Sequence, residues 1–164
     1  MRLLIFAVTI LSFATFSYSQ LNHQQGIFQV SCSEILFDEG GPSGNYSDNT
    51  TDTMMLIFPG YVTEVHITFP FWDMEVDDYD TVSFYSGVVG TPSLIGHYAT
   101  ASPPPLVIPN DTLIIIFNSD VGVNEAGFEM NFQGLYEGGN ATPSNVTCFT
   151  QHNGSITLNG AGFG

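Results

Sequence analysis

The sequence predicts an all-β domain, an antiparallel sandwich or barrel, and three observations carry that expectation. Apolar residues come in short runs, several of them alternating with polar residues as half-buried strands require. Turn formers punctuate those runs, 17 glycines and 9 prolines recurring at intervals that suit strands joined by tight connections. No window holds a sustained helical apolar period with caps, so a helical bundle would have to ignore nearly every breaker.

In chain order, Ile35-Leu36-Phe37 runs into a dense turn cluster, Asp38-Glu39-Gly40-Gly41-Pro42-Ser43-Gly44-Asn45. Met54 to Phe58 is continuously apolar and is stopped by Pro59-Gly60. Val65, Ile67 and Phe69 alternate with His66 and Thr68, and Val82 and Phe84 alternate with Thr81, Ser83 and Tyr85 before Gly87. Leu94-Ile95 leads to Tyr98, after which Pro103-Pro104-Pro105 breaks the chain. Leu113 to Phe117 is five apolar residues, three of them β-branched, which suits a strand buried on both faces. Phe128, Met130 and Phe132 alternate with Glu129, Asn131 and Gln133.

The flanks differ in kind. Residues 1–19 set one positive residue, Arg2, before an apolar run and end in Ser17-Tyr18-Ser19, the pattern of a secretory signal peptide cut before Gln20. An uncleaved N-terminal anchor is the alternative; the run is short for a membrane span. Residues 20–31 form a lead, polar at its start, and residues 135–147 are small and polar, a linker. In the tail, 148–164, setting Phe163 on Phe37 aligns Ile156-Thr157 with Val30-Ser31, so either a second unit starts there or the tail frays.

Charge removes whole classes of function. The 164 residues carry 16 acids against one base, a formal −15, and past Arg2 there is no lysine or arginine. Nucleic acids and anionic membranes are therefore excluded as partners, as is catalysis through a lysine or an arginine clamp. Disorder is excluded too, since 13% of the residues are aromatic and only 10% charged.

Export would place Cys32 and Cys148 in an oxidising compartment. They stand 116 positions apart, on either side of the patterned region. Paired, they would close a loop whose chain-entropy stabilisation is about 4–5 kcal/mol before strain; two free thiols are the other reading. Six Asn-x-Ser/Thr sequons, at Asn45, Asn49, Asn110, Asn140, Asn145 and Asn153, mark turns and, in a glycosylating host, glycan sites.

Acids crowd one short stretch, Asp73, Glu75, Asp77, Asp78 and Asp80, with Asp120 suggestive further on. A hard cation such as calcium takes six to eight oxygens from adjustable loops, whereas a solvated acidic face needs no ion. A transition metal would want imidazole or thiolate, and His66 and His97 have no partner histidine at ligand spacing. Two carboxylates on one loop are poor evidence for glycoside chemistry, and no serine sits in a nucleophile elbow, so the chain is not expected to be an enzyme. For a carbohydrate-binding row of aromatics the sequence offers only Trp72 with Tyr61 or Tyr79, which core packing explains as well.

Three segments, in order and at fitting separations, resemble the CUB domain family over residues 32–134. They are Gly40 to Ser47, a glycine-rich turn ending in tyrosine; Phe69 to Gly87, with an acidic loop, Tyr-Asp and an alternating strand; and Leu113 to Phe128, an apolar strand followed by Phe-x-Ser-Asp and then Gly-Phe. The low cysteine count is similar to the CUB modules of secreted bacterial proteins. The family's usual partner for Cys32, near Asp52-Thr53, is missing, as is a second pair before Asp80 and at Ala99. The resemblance implies a jelly-roll-like sandwich of two antiparallel sheets. It also implies a calcium ion held by Glu75, Asp80 and Asp120, with Asp73 as substitute for Glu75 and a backbone carbonyl near Val121 to Val123. The implied function is that of a secreted, non-catalytic recognition module meeting a basic protein, or a glycan, at that end. Its rival is a spacer at the N-terminus of a larger exported enzyme or adhesin.

Overall fold

The computed structural model describes residues 19–87 and 90–135, with the backbone of 143–144 and 155–156. Nearly all of the leader, most of the linker and tail, Cys148 and the sequons at Asn140, Asn145 and Asn153 lie outside the described residues.

Each apolar run becomes a strand. These are β1 (Ser19–Asn22), β2 (Gly26–Gln29), β3 (Ser33–Phe37), β4 (Thr51–Ile57), β5 (Glu64–Asp73), β6 (Thr81–Ser86), β7 (Ser93–Tyr98), β8 (Leu106–Ile108), β9 (Thr112–Asn118) and β10 (Gly127–Leu135). Two short ladder strands, β11 (Pro143–Ser144) and β12 (Ser155–Ile156), pair only with each other. The rest form two five-stranded sheets, ordered β1-β3-β10-β5-β8 and β2-β4-β9-β6-β7. They face one another across the core, so the fold is the expected sandwich.

Side-chain alternation builds that core. Val65 and Ile67 of β5 and Phe128, Met130 and Phe132 of β10 point into it from one sheet. Met54 and Leu56 of β4, Val82 and Phe84 of β6, and Leu113, Ile115 and Phe117 of β9 meet them from the other. Each such side chain contributes about 1.5–3 kcal/mol by leaving water. β9 is flanked by β4 and β6 over its whole length, and its outward Ile114 is buried as well, which is why its run is uninterrupted.

Two edges depart from antiparallel pairing. β1 runs parallel to β3 and β2 parallel to β4, so the polar lead contributes one strand to each sheet. The chain crosses between the sheets at His23, which is 1% exposed, its ring edge-on to Phe117 and Phe128 at 6.0 and 6.2 Å. Leu21 and Phe28 pack on the core from either side of that crossing. Cys32, which follows β2, is buried in the same core, and its carbonyl accepts the Gly134 N–H at 2.6 Å.

Candidate metal centre

Three connections meet at one end of the sandwich: the segment before β4, the β5–β6 loop and the β9–β10 loop. They bring Glu75, Asp80 and Asp120 together, with one carboxylate oxygen from each within 4.8 Å of the others. Asp73 is outside this group, exposed at the end of β5 opposite Gly127. Asp77 and Asp78 are also outside it, exposed at positive φ of 74° and 64° in the tight turn Val76–Asp78.

Hydrogen bonds hold the three carboxylates in place. Tyr46, fully buried, donates its hydroxyl to Asp80 Oδ2 at 2.6 Å and accepts the Glu75 N–H at 3.2 Å. Asp80 Oδ1 accepts the Asp120 N–H at 2.9 Å, and Asp120 Oδ1 accepts the Gly122 N–H at 2.6 Å. The Asn49 N–H donates to the Asp120 carbonyl at 2.6 Å. Beside it Ser119 Oγ donates to the Ser47 carbonyl at 2.6 Å and accepts the Thr50 N–H at 2.9 Å. Thr100 Oγ1 donates to the Glu75 carbonyl at 2.8 Å and closes the fourth side.

The electrostatics are uncompensated. Glu75 is 8% exposed and Asp80 1%, and no Lys or Arg exists past Arg2. Burial first, then the Asp120 and Asp80 carboxylates, push the Glu75 carboxyl above its ordinary value, against a hydrogen bond from the Val123 backbone. Glu75 Oε2 has no hydrogen-bond partner among the described residues. Burial and the Asp80 carboxylate likewise push the Tyr46 hydroxyl upward, so it stays a donor. Oxygen donors, anionic and gathered from adjustable loops around an orphaned carboxylate atom, fit a hard divalent cation. At Gly122 an added Cβ would lie 2.9 Å from Asp120 Oδ1 and 3.6 Å from Glu75 Oε1, so hydrogen there keeps the space beside the oxygens open.

Other singled-out residues lie elsewhere. His66 pairs with Glu64, and His97 Nδ1 meets Ser83 Oγ at 2.8 Å across β6 and β7. Trp72 stacks on Phe128 with ring centroids 5.9 Å apart and donates to the Ala99 carbonyl at 2.7 Å, so it belongs to the packing rather than to a surface row. Sequence reasoning passed over the positioning roles of Ser119, Thr100 and Asn49. Tyr46 was visible only as the end of a turn, although a buried tyrosine hydroxyl usually finds a partner.

Two five-stranded sheets packed face to face, with a carboxylate cluster at one loop end, define the chain as an all-β sandwich. The CUB domain profile matches residues 39–132, more than half of the chain, and the chain belongs to the CUB family. CUB domains are interaction modules, generally non-catalytic and found mainly in extracellular proteins. Among solved structures the fold is similar to the CUB1-EGF-CUB2 region of human MASP-1/3, with 15% identity over 70% of this chain and 43% of that one, TM-score 0.55. It is similar to the extracellular region of zebrafish Gpr126/Adgrg6, with 17% identity over 70% of this chain and 15% of that one, TM-score 0.54. A third likeness is the MASP-1 CUB2 domain bound to Ca2+, with 16% identity over 66% of this chain and 97% of that one, TM-score 0.52. The chain thus spans less than half of the first two. No curated protein sequence matches it. No helix among the described residues is long and apolar enough to cross a membrane.

Proposed function

We propose that the chain is a secreted, non-catalytic recognition module whose acidic end holds a calcium ion and meets a partner protein carrying basic groups. The observation that carries this reading is Glu75, buried with one carboxylate oxygen unpartnered, beside Asp80 and Asp120 in a molecule without a compensating cation past Arg2. Glu75, Asp80 and Asp120 would hold the ion; Asp73 stands apart from them. Bound calcium would neutralise the carboxylates and stiffen three loops at once. The MASP-1 CUB2 domain, described as bound to Ca2+, supports the choice of metal.

Val76, Tyr79, Val121 and Val123 stand exposed on the same two loops, an apolar rim from which a partner's basic group would reach the carboxylates. A glycan at this end is the other partner class. We further propose that residues 1–19 direct export and that Cys148 pairs with the core-facing Cys32, tying the tail to the sandwich. A spacer role in a larger exported enzyme or adhesin is a second reading, favoured by the length of the multidomain proteins the fold is similar to. Differential scanning calorimetry of residues 20–164 with and without calcium tests the central point. A raised melting temperature that Asp120→Ala abolishes supports the ion site, and no shift removes it.

A further inference from the structure

Strand register builds a row of three side chains on the outward face of the first sheet. Glu129 of β10 lies opposite Phe37 of β3 on one side and opposite Phe71 of β5 on the other. Phe128 and Met130, its neighbours along β10, point into the core, so Glu129 and the two residues paired with it face outward. Neighbouring strands stand about 4.8 Å apart, which sets a carboxylate between two aromatic side chains. The row lines a depression of about 220 Å³, walled on the Phe37 side by the turn from Gly41 to Asn45. Phe37 is buried beside that wall, whereas Phe71 is 46% exposed. Asp73, two residues beyond Phe71 on β5, is exposed on the same face and stands outside the carboxylate group of the acidic end.

We propose that this depression seats one arginine side chain of a partner protein, independently of the acidic end. Charge selects a cation. Past Arg2 the chain has no lysine or arginine, so Glu129 and Asp73 have no side chain of that kind to pair with in their own molecule. Asp38 also lines the depression, but its oxygens already accept the Gly40 and Phe128 N–H groups, so Glu129 is the carboxylate a ligand meets. Size selects a single side chain, because about 220 Å³ is less than the roughly 300–1,000 Å³ of small-molecule sites. Shape selects arginine over lysine. A guanidinium is planar, stacks on an aromatic face and donates two parallel N–H bonds to one carboxylate, whereas an ammonium is a compact, strongly hydrated point charge. Phe71 supplies the ring and Glu129 the acceptor, on adjacent strands. A partner's backbone has no edge to join here, because β3, β10 and β5 each have a strand on both sides, so recognition falls to the side chain.

NMR titration of residues 20–164 in EDTA tests this, with the blocked pentapeptide Gly-Gly-Arg-Gly-Gly as probe. Two control peptides carry lysine or citrulline in place of the arginine; citrulline keeps the shape and loses the charge. EDTA separates the outcome from any calcium site. The expected result is saturable, millimolar binding of the arginine peptide that moves the amide signals of Phe71 and Glu129, with binding of the lysine peptide about fivefold weaker and none of the citrulline peptide. Phe71→Ala should weaken the arginine peptide about threefold and Glu129→Gln about tenfold or more, while Asp120→Ala leaves it unchanged. The control peptides are read on unaltered protein, so the test stands even where a variant fails to fold. No saturable binding, a lysine or citrulline peptide that binds as tightly, or binding that Asp120→Ala abolishes and Glu129→Gln spares overturns the proposal.

Discussion

The Tyr46 hydroxyl donates to Asp80 Oδ2 at 2.6 Å, both groups buried, and joins the glycine-rich turn to the Tyr-Asp strand start across 34 residues of sequence. Tyr46→Phe keeps the ring contact with Phe117, 5.2 Å between centroids, and deletes only the oxygen. A buried carboxylate then loses a donor and the Glu75 N–H loses an acceptor. Hydrogen bonds to charged groups contribute about 1.5–3 kcal/mol, so urea unfolding should show a loss in that range with an unchanged m-value. A smaller loss in calcium than in EDTA would show that the ion shares the task of holding Asp80.

Calcium should raise the melting temperature by about 10 °C when it exceeds its Kd a hundredfold, since such an excess stabilises a domain of this size by about 2.7 kcal/mol. In its absence Glu75 sets a pH dependence of definite sign. Its folded carboxyl lies above the ordinary 4.5, so the folded state holds its proton longer than the unfolded chain. Stability is then full below about 4.5 and falls as pH rises through the folded value. Glu75→Gln should flatten that decline, measured by urea midpoints in EDTA between pH 4 and 7. Wild-type protein saturated with calcium should lack the decline too.

The strands were readable where burial is one-sided. Val65 and Ile67, Val82 and Phe84, and Phe128, Met130 and Phe132 write their inward face directly into the sequence. β1 and β2 were not readable, because Ser19–Asn22 and Gly26–Gln29 join edges through backbone groups that leave no apolar pattern. The acidic stretch was plain, but its division was not: periodicity cannot tell that Glu75 turns inward beside Asp120 while Asp73, Asp77 and Asp78 face solvent. That choice depends on turns at positive φ and on Tyr46, contributed by a distant segment.

His23 should give the opposite pH response. Burial holds its imidazole below the ordinary 6.5, against the Ile115 carbonyl and the carboxylates of Asp52 and Glu39. Below pH about 6.5 the unfolded chain binds a proton that the folded state resists, so stability falls as pH drops, by at most about 1.4 kcal/mol per pH unit. His23→Leu removes the titration while keeping an apolar side chain between Phe117 and Phe128. With calcium saturating, so that Glu75 does not contribute, urea midpoints compared at pH 7 and pH 5.5 should converge in that variant. Hydrogen exchange should locate the wild-type loss in β1 and β2, which flank the residue.

Gly127 and Asp38 form a contact that tolerates no extra atom. Gly127 sits at φ 75°, and a Cβ there would lie 2.2 Å from Asp38 Oδ2 and 2.4 Å from its Cγ. Asp38 is buried and accepts the Gly40 N–H at 2.8 Å and the Phe128 N–H at 3.0 Å, so it fastens the glycine-rich turn to the start of β10. Gly127→Ala must therefore expel that carboxylate as well as strain its own backbone. Left-handed strain of about 1–2 kcal/mol and an orphaned buried group at about 1–3 kcal/mol give an expected loss of roughly 3 kcal/mol. Asp38→Ala in the same chain makes room for the new methyl, so the double variant should be more stable than the sum of the single losses predicts. Additive losses in a double-mutant cycle would show that the two residues do not act through this contact.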